Sequence, residues 1–78
     1  MTTSSVLTDP AALTPSQWSA RLAAYLSRGR SNDDPEVVAA RQALSYWRAR
    51  RAIDAEVGQI APGHISLLAD RLREAVAR

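Results

Sequence analysis

Few residues in this chain could support chemistry. The 78 residues contain one histidine, His64, and no cysteine. Metal binding through nitrogen or sulfur and nucleophilic catalysis both need partner groups that a lone histidine lacks. His64 directly follows Pro62-Gly63, a position that suits a helix start or a solvent-exposed side chain. We therefore expect no catalytic residue, no metal site and no cofactor site.

Carboxylate pairs are the remaining candidates for acid–base or cation chemistry. Asp70 and Glu74 are one helical turn apart, but arginines surround them, as is typical of a solvated helix surface. The adjacent Asp33 and Asp34 precede Pro35, where acidic side chains stabilise the start of a helix. The three glycines stand alone, so no phosphate-binding loop is present. The sequence predicts a protein that is not an enzyme.

A cluster of arginines beside Trp47 is the most functional-looking feature. Arg48, Arg50 and Arg51 could contact phosphates or an acidic partner. Alternatively, Arg50 and Arg51 pair with Asp54 one turn later, although a base N-terminal to its acid is the weaker orientation. The net charge is only +2, whereas nucleic-acid binders usually show a larger basic excess. Solvated surface is the main interpretation, and phosphate or partner contact is the alternative.

The apolar periodicity predicts three helices that carry these residues. The predicted fold class is therefore all-α with a long central helix. The helices are expected at about residues 15–28, 35–59 and 64–77. Thr14 and Gln17 have the spacing of a capping box, and Gly29 can end the first helix in the left-handed conformation. Asp34 followed by Pro35 is typical of the start of the second helix.

The central helix carries two apolar stripes. At about 100° per residue, one face holds the first set, Val37, Ala40, Ala43, Leu44 and Trp47. A face rotated by about 120° holds the second set, Tyr46, Ile53, Val57 and Ile60. Two partners on different faces would produce this shift, whereas one partner would not. Trp18, Tyr46 and Trp47 are the aromatic residues expected in the core or in an interface.

The turns predict which faces meet. The first helix is expected to lie on the first stripe, with Trp18 opposite Trp47. The third helix is expected to fold back onto the second stripe, with Leu68 and Leu72 opposite Ile53. The further pairs are Tyr25 and Leu26 with Val37 and Ala40, Leu22 with Leu44, Ile65 with Val57, and Val76 with Tyr46. This gives either an up-down-up bundle or extended helical hairpins completed by oligomerisation.

The composition favours self-association. The chain has fifteen alanines, no phenylalanine and only twenty large apolar residues, so it forms helices more readily than a thick core. No disulfide or thiolate site can reinforce it, which leaves oligomerisation. We expect a small protein–protein interaction or adaptor module that binds itself, as a homodimer or larger assembly, or that binds another protein. The alternative is a nucleic-acid-associated protein that uses the arginine cluster.

The domain organisation and compartment follow from the remaining sequence. Residues 1–12 are rich in Thr and Ser and are expected to form a flexible tail, with Val6 and Leu7 docking on a neighbour. Residues 13–78 are expected to form a single helical domain. The N-terminus lacks the charged lead and apolar run of an export signal, and no apolar run is long enough for a bilayer. All ten basic residues are Arg. With abundant Ala, this favours a bacterial origin. The lack of an export signal and of a bilayer-length apolar run favours a cytoplasmic protein without membrane contact.

Overall fold

The computed structural model describes residues 9–77, which contain three α-helices and no strand. The helices are α1 (Pro15–Ser27), α2 (Pro35–Ala55) and α3 (Ile65–Ala77). Short 3₁₀ turns precede α1 and α3, at Pro10–Ala12 and Pro62–His64. The predicted all-α class with a long central helix is confirmed. The tail predicted for residues 1–12 falls mostly on residues 1–8, outside the described residues, as does the docking of Val6 and Leu7.

Both ends of α1 are closed by local hydrogen bonds. The hydroxyl of Thr14 accepts from the backbone N–H of Gln17 at 3.2 Å, and the Gln17 side chain accepts from the Thr14 N–H at 2.9 Å. The predicted capping box is therefore confirmed. Gly29 has φ 81°, and the next backbone N–H, of Arg30, donates to the Tyr25 carbonyl at 3.1 Å. This Schellman arrangement ends the helix and reverses the chain.

Helix α2 begins as predicted but ends earlier. The Asp34 side chain accepts from the Glu36 N–H at 2.9 Å and so caps the first turn. The helix stops at Ala55, four residues before its predicted end near 59. Beyond Ala55 the backbone hydrogen bonds span three residues, since the Glu56 N–H donates to the Ile53 carbonyl. Gly58 then adopts φ 86°. The second apolar stripe therefore loses its continuous helical support.

The core lies between α1 and the first stripe of α2. Trp18 is 1% exposed and packs with Ala40 and Ala43, and Val37 and Tyr25 are buried nearby. Four half-buried side chains surround this cluster, namely Leu13, Leu22, Leu44 and Trp47. The predicted packing of α1 on the first stripe is thus observed. Leu26 is the exception because it is exposed and does not join the core.

The predicted packing of α3 on α2 is wrong. Among the described residues, α3 contacts the turn Pro62–His64 and neither α1 nor α2. The prediction required α2 to continue to residue 59 before a reversal. Instead, left-handed Gly58 and extended Ala61 (ψ 136°) redirect the chain before Pro62. The shape is extended, as in the second predicted arrangement, but the predicted hairpin of α2 and α3 does not form among the described residues.

The shape reflects this separation of α3. The Cα radius of gyration is 15.0 Å, against about 11 Å for a compact domain of this length. The principal extents are 46 × 25 × 25 Å. The molecule is a helical hairpin with a projecting helical arm.

The left-handed turn after α1 gives the first testable prediction. The substitution Gly29→Ala should lower the free energy of unfolding by about 1 kcal/mol, because a Cβ disfavours positive φ. A Cβ at Gly29 meets no atom within 4 Å, so the cost is conformational. Urea denaturation followed by circular dichroism measures it. Gly63→Ala, also unobstructed but without a positive φ, is the control and should stay within about 0.5 kcal/mol. Equal effects of the two substitutions would contradict the account.

Candidate interaction surface

Both tryptophans are held by one backbone carbonyl. The indole Nε1–H groups of Trp18 and Trp47 each donate to the Pro10 carbonyl oxygen at 2.8 Å. The turn that presents this oxygen is itself capped, since the Asp9 side chain accepts from the Ala11 N–H at 3.0 Å. Trp47 is therefore fixed at the edge of the core. Nothing in the sequence indicated that the carbonyl of Pro10 bridges two indoles.

Arg50 lies on the aromatic pair at the edge of the hairpin. The rings of Tyr46 and Trp47 meet edge to face, with centroids 5.6 Å apart and planes at 81°. The Arg50 guanidinium carbon is 4.7 Å from the Trp47 ring centroid, and its Nη1 donates to the Tyr46 hydroxyl at 3.4 Å. This stacking orients the Arg50 charge and covers part of the indole. Tyr46 itself remains exposed.

The other two arginines of the cluster extend into solvent. Arg48 and Arg51 are exposed and three residues apart, so they share a face of α2, whereas Arg50 lies about 100° from Arg51. Within residues 9–77, no ion pair joins Arg50 or Arg51 to Asp54 within 4 Å. The structure therefore does not gather the three guanidinium groups on one face, and Arg50 and Arg51 do not pair with Asp54 as the sequence suggested.

Charges at the opposite end of α2 are paired. Arg30 forms an ion pair with Glu36 and lies 3.6 Å from the Asp34 carboxylate. The Tyr25 hydroxyl donates to Glu36 at 3.3 Å, and the Arg30 guanidinium stacks 4.8 Å from the Tyr25 ring centroid. The hydrogen bond to Glu36 raises the pKa of Arg30. These contacts fasten the α1–α2 turn, and they occupy Asp34 and Glu36 in structural roles.

Helix α3 presents a continuous apolar face to solvent. The side chains of this face are between 53% and 79% exposed, and they are Ile65, Leu68, Leu72 and Val76. On the other side, Arg71 pairs with Glu74 at 3.3 Å, and Arg73 pairs with Asp70 at 2.8 Å. An apolar face of this kind on a projecting helix is typical of an interaction surface.

A shallow groove lies between α3 and the preceding connection. Its volume is about 420 Å³, and its lining is Glu56, Gln59, Ile60, His64, Leu67 and Leu68. The histidine singled out by the sequence is thus at the start of α3 in an exposed position. Within residues 9–77, no three His, Cys, Asp or Glu side chains are grouped to hold a metal ion. No helix in the same range is long and apolar enough to cross a membrane.

Comparisons of the chain with models of protein families, with curated proteins and with solved structures found no match. Function must therefore be inferred from the geometry of the chain itself. The strongest features are the open apolar face of α3 and the arginine cluster beside Trp47.

The shared Pro10 carbonyl gives the second prediction. Trp47→Phe should lower the free energy of unfolding by about 1 kcal/mol, because it removes one of two part-buried hydrogen bonds to that oxygen. Tyr46→Phe is the control. It removes a hydroxyl that is exposed and makes only a long contact, so its effect should stay below about 0.5 kcal/mol. Thermal or urea unfolding of both variants measures the difference, and a larger loss for Tyr46→Phe would refute this assignment.

Proposed function

We propose that this chain is a small, non-enzymatic helical interaction module of the bacterial cytoplasm that associates with a second copy of itself. The observation that carries the proposal is the exposure of the apolar face of α3, which packs on neither α1 nor α2. The rest of the chain supplies a stable hairpin from which this arm projects.

The energetics of α3 support a partner. A helix of 13 residues is marginally stable in water when it stands alone, because nucleation is costly and few hydrogen bonds follow it. Complete burial of one aliphatic side chain contributes about 1.5–3 kcal/mol. Burying the exposed parts of the four α3 side chains would thus contribute about 4–8 kcal/mol. A partner surface both stabilises the helix and removes this apolar area from water.

A second copy is the partner that the chain itself provides. Symmetric dimers are the commonest oligomers of soluble proteins, and an isologous interface uses the same surface on both subunits. The exposed apolar surface is present on each copy at equal concentration. Association through it requires no further component.

Self-association through α3 is tested by comparing two leucines of the same helix. Leu72 and Leu67 are 61% and 63% exposed, but only Leu72 lies on the apolar face. Leu72→Gln should weaken dimerisation at least about 10-fold, because each dimer loses two buried leucines and 1.4 kcal/mol corresponds to tenfold. Leu67→Gln should change the dimerisation affinity less than about threefold. The two variants are comparable because Gln and Leu have similar helix propensities.

Light scattering behind size exclusion, over a wide concentration range, gives the masses. The unaltered chain should have a dimeric mass of twice 8.5 kDa at high concentration. A monomer at every concentration would refute self-association. Equal weakening by both substitutions would show that the apolar face of α3 is not the interface.

A second candidate function is binding to nucleic acid through Arg48, Arg50 and Arg51. The observation in its favour is that Arg50 and Arg51 form no ion pair with a carboxylate within residues 9–77. The spread of the three arginines over two faces of α2 weighs against it, because one duplex would contact only some of them.

This second candidate predicts a specific loss of binding. Replacing Arg48, Arg50 and Arg51 by Ala should reduce the slope of log affinity against log salt by about 1 for each lost phosphate contact. Replacing the exposed Arg21, Arg28 and Arg41 by Ala changes the net charge equally and is the control. Fluorescence anisotropy with a short labelled duplex measures both. Equal losses would indicate a general charge effect, and no binding at low salt would eliminate this function.

A further inference from the structure

Helix α2 has a second apolar surface whose large side chains are exposed to solvent among the described residues. Tyr46 and Ile53 lie on one side of the helix, two turns apart, with the small Ala49 between them. Val57 follows in the turn after the helix. All three large side chains are exposed, and Ile53 is 57% exposed. The same chain therefore carries two open apolar surfaces, this one and the face of α3.

We propose that each copy places its α3 on the second apolar surface of α2 in the other copy. This inference rests on the self-association proposed above and specifies its geometry. The helices cross antiparallel, with Ile65 near the partner's Val57, and with Leu68 and Leu72 near Ile53 of the partner subunit. A two-fold axis relates the two equivalent contacts, so the arms are exchanged between subunits.

The available apolar area comes close to that of a standard dimer interface. Seven side chains take part from each copy, four from α3 and three from the second apolar surface of α2. Each exposes about 60 Å² of apolar surface, as judged from the transfer free energy of such side chains per unit area. The total is about 400 Å² of apolar surface per chain. A standard interface buries about 800 Å² per partner, of which somewhat more than half is apolar. Neither surface alone reaches this value.

Charge favours contact of α3 with α2 over contact of α3 with α3. In an antiparallel pair of α3 helices, the two copies of Arg71 flank the same edge of the apolar seam, where like charges repel. The second apolar surface of α2 has Arg50 at one margin, but it is also flanked by Asp54 and Glu56, so Arg71 of the other copy can meet a carboxylate there. Neither acid forms an ion pair within residues 9–77, so both can accept a cation.

The connection between the helices favours exchange over closure within one chain. Residues 56–64 leave α3 clear of its own α2 through left-handed Gly58 and the extended residue before Pro62. Mutual exchange covers the apolar face of α3 and the second apolar surface of α2 in each copy. Such closed symmetry limits the assembly to two subunits.

Single cysteines can test the exchange, because the natural chain has none. Full-length Ile53→Cys and Leu72→Cys, carrying tags of different size, are mixed, allowed to exchange subunits and oxidised. We expect a mixed disulfide between the two variants to exceed the Leu72→Cys homodimer at least fivefold on a non-reducing gel. Val57→Cys with Ile65→Cys provides a second pair in case one substitution weakens the dimer. Ser66→Cys, off the apolar face of α3, replaces Leu72→Cys as the control and should give little product.

The outcomes separate this inference from the proposed function. A dominant Leu72→Cys homodimer, or no mixed disulfide from either pair in a sample with dimeric mass, overturns the exchange but leaves self-association intact. The double variant Ile53→Cys/Leu72→Cys should give covalent dimers, and an internally linked monomer would show closure within one chain instead. A monomeric mass of the unaltered chain overturns both proposals.

Discussion

The hairpin depends on the two hydrogen bonds that the carbonyl oxygen of Pro10 accepts. This oxygen accepts hydrogen bonds from the indoles of Trp18 and Trp47, and so ties a short turn, α1 and α2 together at one point. Indole N–H groups near a core need a partner, since an unsatisfied buried donor is costly. One oxygen satisfies both donors here. The large rings can then cover the alanines of α2, which contribute little buried area themselves.

This arrangement concentrates stability in one part of the molecule. Burial is confined to α1 and the first half of α2, where the turn is also fastened by Arg30, Asp34 and Glu36. Among the described residues, every large aliphatic side chain that follows Trp47 is exposed. The two regions therefore differ physically, since one supports the fold and the other exposes the apolar surface that we propose a second copy covers.

The arginine cluster lies at the boundary between these regions. Arg50 stacks on Trp47 and contacts Tyr46, so its charge is held close to an apolar surface that we propose as an interface. Arg48 and Arg51 extend from another side of the helix. Charges that flank an interface affect the rate and specificity of association more than its affinity. Under the proposed self-association, the cluster has a role that does not require nucleic acid.

The sequence by itself determined the helices and their starts, because capping and turn formation are local. Thr14 with Gln17, Asp34 with Pro35, and Gly29 each act within a few residues, and all are found as predicted. The first apolar stripe also fixed the α1–α2 core. Only the tertiary structure decided the position of α3 and the partner of the two indoles. The position of α3 depends on the direction of the chain after Gly58, and the indole partner depends on the path of the chain before Trp18. The direction of each turn is set by backbone angles, which apolar periodicity does not encode.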